Sequence, residues 1–398
     1  MKINQKEYTD VHTNVGDLTY STIEPNAGLK IAVNQTQEEI IKIISDSGLR
    51  GLGGAGVPVG FKWNLTRKDE DSPKYVVCNA DEGEPGTFKD RVILTEYADL
   101  VFEGMTIAGL AVGAEYGILY LRGEYEYLKE HLEAVLDCRR GNKILGENIF
   151  NQEGKNFDIR IYLGASAYVC GEKTGLIESL EGKRGEPRNR APFAVNQGYL
   201  DKPTIVNNVE TLAWATCIMT KGAEWFRSHG TEKSPGLNIL SVSGDCKNPG
   251  VYEFSMKSTV NDIIKIAGAE NVRAVQIGGA SGRCVGRSQF EHSIAFEDIP
   301  TSGAVTIFNE TRDMLAVAEN YMKFFVHESC GQCTPCRIGN TKLLDGIQQV
   351  RAGTCSDKYL KDLFGLCETM KMTSKCGFGQ TSPNAFLSIL HNLEELQA

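Results

Sequence analysis

Three cysteines stand three apart in the segment ESCGQCTPCRIGN, at Cys330, Cys333 and Cys336 of a chain of 398 residues. The spacing C-x2-C-x2-C offers three thiolates from one short, turn-rich segment, which suits an iron-sulfur cubane better than the paired C-x2-C runs of zinc sites. A cubane takes a fourth thiolate from elsewhere, and Cys355, Cys367 and Cys376 are the candidates downstream. Cys376 precedes a glycine-rich turn in SKCGFGQTSPN, where a side chain can point inward between helices. Cys355 and Cys367 read as helix-flanking and helical core positions. A single zinc ion is the alternative occupant.

Two other stretches could do chemistry. CNADEGEPGTFKDR crowds Asp81, Glu82 and Glu84 into a short loop closed by Pro85 and Gly86. Such carboxylates repel unless they line a polar site or the loop is wide open. GLRGLGGAGVPVGFKW carries Gly51, Gly53, Gly54 and Gly56, with Lys62 downstream. Its G-x-G-x-x-G match is not a Rossmann fingerprint, because that motif follows a strand and opens a helix, whereas this one follows a helical pattern and leads into Pro58. It reads as a backbone that something flat or phosphorylated can approach closely. A third segment, SAYVCGEKTG, sets Gly171 and Glu172 at a strand-to-helix turn, where free N–H groups favour anions. Three such loops point to one cleft.

The elements that position them alternate. TQEEIIKIISDSG has a capping box at Thr36 and Glu39 and stops at Gly48, and YVVC (75–78) reads as a buried strand. A helical stretch over 91–112, the strand GILYLRGEY, the helix EYEYLKEHLEAVLDC and the strand FDIRIYLG complete an α/β pattern over 1–235. Residues 236–308 read as a small α+β module: the hairpin LNILSVSGDCKNPGVYEF, the helix TVNDIIKIAG and the strand AVQIGG. From 309 to 398 the pattern is helical, near 309–327, 336–352, 356–370 and 382–396. The chain is 41% hydrophobic and 23% charged, in the globular range. Its net charge of -9, without a basic block, argues against a nucleic-acid partner. The opening MKINQKEYTDVHTN lacks an apolar core, and Glu103, Glu115 and glycines interrupt the apolar run Leu100–Leu121. No direct membrane insertion is expected. Twelve cysteines point to metal or redox use for some, while isolated ones such as Cys138 and Cys217 read as small buried hydrophobes.

Together and in order, GLRGLGGAGVPVGFKW, CNADEGEPGTFKDR, YVCGEKTGLIESLEGKRGEPR, PTIVNNVETL and ESCGQCTPCRIGN resemble the NADH-binding flavoprotein subunits of respiratory complex I and the diaphorase subunits of soluble hydrogenases and formate dehydrogenases, some of which bifurcate electrons. The resemblance implies a Rossmann-like FMN domain, a β-grasp module of the soluble-ligand-binding type and a helical bundle holding one [4Fe-4S] cluster. It places FMN among Gly51, Gly53, Gly54, Lys62, Asn79, Asp81, Tyr168, Gly171, Glu172, Asn207 and Asn208, with Glu84 and Phe193 near the nicotinamide nucleotide. It makes Cys376 the fourth cluster ligand. Hydride passes between NADH or NADPH and FMN with no side chain as acid or base. The implied partners are a thioredoxin-like [2Fe-2S] subunit and a larger iron-sulfur or catalytic subunit. The expected location is the cytoplasm, with any contact with a membrane's inner face made through partners.

Departures from the family pattern carry further expectations. Lys173 stands where relatives have a second glutamate that faces the adenosine ribose, and this charge reversal favours a 2′-phosphate, and so NADPH. A charge-assisted hydrogen bond of ~1.5–3 kcal/mol corresponds to roughly ten- to a hundredfold discrimination. A solvated Lys173 beside NADH is the opposing reading. Leu52 replaces an arginine, and Val57 and Leu65 replace aromatics that would stack on the nucleotide. These losses suggest an alternative: an electron-relay or scaffold subunit that keeps FMN and cluster but oxidises no pyridine nucleotide.

Overall fold

The computed structural model describes residues 14–189, 192–392 and 395–396. Its strands are β1 (Asn14–Val15), β2 (Tyr75–Ala80), β3 (Tyr116–Leu121), β4 (Asp158–Leu163), β5 (Thr204–Asn208), β6 (Leu237–Gly244), β7 (Gly250–Ser255), β8 (Val272–Ile277), β9 (Arg283–Gly286) and β10 (Ala304–Asn309). The run YVVCNA makes β2 apolar on both faces, as parallel strands covered by helices must be.

The first sheet is wholly parallel, in the order β4-β3-β2-β5. Counted from its own first strand this is 3-2-1-4, the doubly wound order, so the strand sequence reverses direction between β2 and β5. Helices connect its strands. The helix Gln37–Ser47 packs nearby, opened by the expected capping box: Thr36 Oγ1 accepts from Glu39 N at 3.2 Å and Glu39 Oε2 from Thr36 N at 2.8 Å. Gly48, at φ 73°, ends it.

The expected helix over 91–112 is two helices, Lys89–Glu96 and Ala98–Val112. Tyr97 leaves helical geometry (φ −132°, ψ 29°) and sets its ring edge-on to Tyr20 at 5.6 Å. The strand expected to run through Tyr125 stops at Leu121. Arg122 turns away to donate to the Glu82 carbonyl at 2.8 Å and to pair with Glu124 at 2.6 Å. A 3-10 segment, Gly123–Leu128, then precedes the helix Lys129–Gly141. Cys217 is buried as expected, but Cys138 is exposed on the outer face of that helix.

The second sheet is mixed, in the order β1-β7-β6-β10-β8-β9. β6 and β7 form the expected antiparallel hairpin, while β10 lies parallel to β6 and antiparallel to β8. Val260, Ile263 and Ile264 of the helix Val260–Ile266 pack on this sheet with Leu240, Val275 and Val305. On its other side Leu237 and Ile239 of β6 join the large core around the parallel sheet. The C-terminal part is helical: Met314–Glu328, Thr334–Arg351, Asp357–Thr373, Gly377–Thr381 and Asn384–His391. Met322, Phe325, Leu343, Cys367, Met370 and Phe386 form its core. Among the described residues no helix is long and apolar enough to cross a membrane.

Candidate cofactor sites

In doubly wound sheets ligands bind outside the carboxyl ends of the strands, where their order reverses. Here that crevice lies between the ends of β2 and β5. β2 delivers Asn79 and then Asp81, and β5 delivers Asn207 and Asn208. Asn208 caps the next helix by accepting from Glu210 N at 3.0 Å. The glycine-rich loop folds over the same end. A Cβ on Gly53 would come within 3.0 Å of Asn208 Cβ, and Gly54 has φ 123°, which side chains rarely tolerate. Gly51 N bonds the Val57 carbonyl at 3.0 Å to close the loop.

The three crowded carboxylates have separate fates. Asp81 is 1% exposed with neither oxygen hydrogen-bonded, and burial pushes its carboxyl up to about 8. Glu82 accepts from Asp90 N at 2.7 Å and Arg91 N at 3.0 Å, capping the helix Lys89–Glu96, and from Tyr125 Oη at 2.9 Å. Glu84 accepts from Tyr168 Oη at 2.6 Å, Ser281 N at 3.0 Å and Ser281 Oγ at 2.7 Å. Burial raises its carboxyl, against those hydrogen bonds.

Lys62 donates to the Val206 carbonyl. Burial first, and then Lys173, push its amine down to about 7. Among the described residues neither lysine has a carboxylate partner within salt-bridge distance. Asn79 Nδ2 donates to the Gly171 carbonyl at 2.9 Å. Glu172 does not leave its turn open: its carboxylate caps the helix Lys173–Leu180, accepting from Thr174 N at 2.9 Å and Gly175 N at 3.0 Å. Phe193 is 58% exposed, as are Val57 (40%) and Leu65 (37%), and Phe61 presents a ring at 59% exposure one helical turn from Leu65. Leu52 is buried, its N–H donating to Thr211 Oγ1 at 3.0 Å.

Cys330, Cys333, Cys336 and Cys376 line one pocket with Ser329, Pro187 and Phe378. Cys333 stands at the N-cap of Thr334–Arg351 and Cys376 at that of Gly377–Thr381. Cys336 Sγ lies 3.5 Å from Ser329 Oγ in a hydrogen bond and accepts from Asn340 Nδ2 at 3.4 Å. Burial raises its thiol to about 12, and the other three cysteines add to that shift, so the four sulfurs share one environment. Cys355 neighbours Asp357 and Asp345 instead, and Cys367 is buried in the helical core. Among the described residues no group of three or more Cys, His, Asp or Glu side chains is gathered closely enough to hold a metal ion as it stands.

Tyr168 links the two sites. Its ring packs on Phe324 at 5.0 Å and on Phe378 of the cysteine pocket at 5.4 Å, while its hydroxyl reaches Glu84. The residue patterns missed Ser281 and Asp90, which accepts from Asn208 Nδ2 at 2.5 Å. The glycine-flanked run GGASGR was the available pointer to Ser281. Unpaired Asp81 oxygens, an unpaired Asn207 Nδ2 and an amine without a counter-ion fit a polar, phosphorylated ring system in the crevice; four thiols fit an iron-sulfur cubane in the pocket.

Such an arrangement defines a redox protein that binds a flavin and a cluster. The model of the Nuo51 FMN-binding domain matches residues 44–216, and that of the NADH-ubiquinone oxidoreductase-F iron-sulfur binding region matches 316–396. The alpha subunit of the NAD-reducing hydrogenase HoxS of Cupriavidus necator is 51% identical over 360 residues, which are 90% of this chain and 60% of that subunit. HndC, a component of the NADP-reducing hydrogenase of Solidesulfovibrio fructosivorans, is 39% identical, covering 93% of this chain and 78% of its own. The mitochondrial NADH dehydrogenase (ubiquinone) flavoprotein 1 of Dictyostelium discoideum is 36% identical over 89% of this chain and 77% of its own. The crystal structure of an NAD+-reducing [NiFe]-hydrogenase in the H2-reduced state superposes with a TM-score of 0.91 at 39% identity, over 98% of this chain and 68% of that one. The chain belongs to the NADH-binding flavoprotein family, with an FMN-binding domain and a [4Fe-4S] binding region.

Proposed function

We propose that the chain is the diaphorase component of a multi-subunit oxidoreductase, taking hydride from NADH or NADPH and passing single electrons onward. The observation that carries this is the junction at Tyr168, which packs the flavin crevice against the cysteine pocket. Bound FMN supplies hydride acceptance and the division of an electron pair. The chain's part is positioning: Gly53 and Gly54 admit the ring system, Lys62 balances phosphate charge, and Asn79, Asp81, Asn207 and Asn208 supply polar contacts at its rim. Gly51, Tyr168, Gly171 and Glu172 complete the crevice, with Glu84 and Phe193 toward the nucleotide. Cys330, Cys333, Cys336 and Cys376 hold the cluster.

We divide the chain into an FMN domain (1–235), a β-grasp module (236–308) and a helical cluster domain (309–398). The order β7-β6-β10-β8, with the outer hairpins antiparallel and β6 parallel to β10 around one helix, supports the β-grasp reading. The partners are a thioredoxin-like [2Fe-2S] subunit and a larger iron-sulfur or catalytic subunit in the cytoplasm, at the inner face of a membrane if the complex has one. Electron bifurcation is part of this proposal.

Relatives are named for both NAD and NADP, so nucleotide choice rests on this chain's own residues. Lys173, exposed and close enough to depress Lys62, supports a 2′-phosphate clamp and a preference for NADPH. Phe61 offers a ring in place of those absent at 57 and 65. A second reading, electron relay without nucleotide oxidation, draws on Glu84, whose oxygens are already bonded to Tyr168 and Ser281. Anaerobic reduction of the FMN- and cluster-loaded protein by NADH and NADPH, followed at the flavin band, separates these. Faster bleaching by NADPH, reversed in Lys173→Glu, is expected. An NADH preference untouched by that substitution removes the clamp, and reduction by dithionite alone establishes the relay.

A further inference from the structure

The cysteine loop is gripped by charge from three directions. Cys330, Gly331 and Gln332 are consecutive, and each accepts a hydrogen bond from a different cation. Arg184 Nη2 donates to the Cys330 carbonyl at 3.0 Å, Arg337 Nη1 to the Gly331 carbonyl, and Lys375 Nζ to Gln332 Oε1 at 2.7 Å. The three come from separate elements: the connection after the helix Lys173–Leu180, the first turns of Thr334–Arg351, and the residue before Cys376. Among the described residues one carboxylate bonds within this group, Glu186, which pairs with Arg184 at 2.9 Å and accepts from Gln332 Nε2 at 3.3 Å; Glu172 lies close enough to Cys376 to raise its thiol. The charged side chains that bond this loop are thus mostly cationic, in a chain whose net charge is -9.

This asymmetry bears on the redox step rather than on folding alone. Arg337 lies in the first turns of its helix, where a cation gains nothing from the dipole, and Arg184 is largely exposed, where an ion pair adds little stability. A four-thiolate cubane is anionic, and gaining one electron makes it one charge more negative. Nearby positive charge therefore favours the reduced form, and net charge is one of the established controls of cluster potential.

We propose that Arg184, Arg337 and Lys375 form a cationic clasp on the 330–332 loop that raises the cluster's affinity for its electron. The inference rests on the proposed cluster site. Arg184 is then a positioning and potential-setting residue contributed by the flavin-binding part to the cluster-binding part. The balance is simple: one electron arrives, one unit of negative charge appears, and no bond of the clasp breaks.

The test is an EPR-monitored redox titration of the full, cluster-loaded chain, with iron per chain determined in parallel. In Arg184→Ala, at the wild-type midpoint, the reduced-to-oxidised ratio should fall by about two- to sixfold, the order expected when one nearby charge is removed in a high-dielectric setting. The fall should shrink in high salt, and Arg184→Lys should restore most of the ratio. Full iron loading with an unchanged midpoint overturns the proposal. So does an equal shift in Arg184→Lys, which assigns the effect to bond geometry. A wild-type chain that holds no iron overturns it at its base, because the cluster site itself is then misread. Should Arg184→Ala alone lose iron, Lys375→Ala carries the same measurement, with the same expected and overturning results.

Discussion

Lys62 should make flavin binding depend on pH. Burial and the neighbouring Lys173 hold its amine near 7 in the flavin-free chain, where an ordinary lysine titrates above 10. At pH 8 only about one chain in ten carries the ammonium. A phosphate dianion in the crevice favours that ammonium, so binding must take up a proton. Each pH unit above 7 then costs about 1.4 kcal/mol, or tenfold in Kd, until the amine of the complex itself titrates. The phosphate's own second ionisation, near ~6, is nearly complete by then. Calorimetric titration of the deflavinated chain with FMN from pH 6.5 to 9, in two buffers of different protonation enthalpy, measures both Kd and proton uptake. Close to one proton should be taken up at pH 8. Lys62→Met should bind more weakly with little pH dependence above 7, and Lys173→Glu should move the bend to higher pH by removing the repulsion. A flat profile in the unaltered chain, or a slope that survives Lys62→Met, refutes the reasoning.

Three other outcomes are expected. Cys376→Ser should lose most of the iron bound by the chain, while Cys367→Ser keeps it and loses about 1–3 kcal/mol in denaturant unfolding, because a buried hydroxyl replaces a core thiol; iron analysis and melts read both. Glu103 is fully buried, accepts from Asn26 N at 3.0 Å and Leu29 N at 2.8 Å, and has its carboxyl raised by burial to about 7. A raised acid contributes stability that is complete below its unfolded pKa of about 4.5 and is lost as pH rises through 7, so Glu103→Gln should flatten the unfolding free energy over that window.

What could be read from sequence was what depends on near neighbours. The capping box at Thr36 and Glu39, the buried β2 and the trio Cys330, Cys333 and Cys336 each need only a few residues to be recognised. Cys376 did not follow from spacing, since Cys355 and Cys367 were equally available; family likeness pointed to it, and the pocket brings it beside the other three. The acidic loop was legible as a crowd of carboxylates but not as three different devices. Whether a carboxylate there caps a helix, stays unpaired or bridges to Ser281 depends on segments up to 197 residues away. The break at Tyr97 escaped for the same reason: its ring packs against Tyr20, 77 residues earlier in the chain. Strands β5, β9 and β10 lacked local alternation strong enough to stand out from their neighbours.

The mixed sheet explains its place in the molecule through that distant contact. Ser281, in the turn between β8 and β9, gives both its N–H and its hydroxyl to Glu84, and its carbonyl accepts from Asn384 Nδ2 at 2.9 Å. Glu84 belongs to the loop after β2, and Asn384 begins a helix of the cluster-binding part. Tyr168 completes the set with its hydroxyl on Glu84 and its ring against Phe378. A half-buried carboxylate with three donors is costly to leave half-satisfied, so a shift of the loop disturbs all three parts at once. The spacing between the flavin crevice and the cysteine pocket is thus held by a polar junction that the mixed sheet supplies.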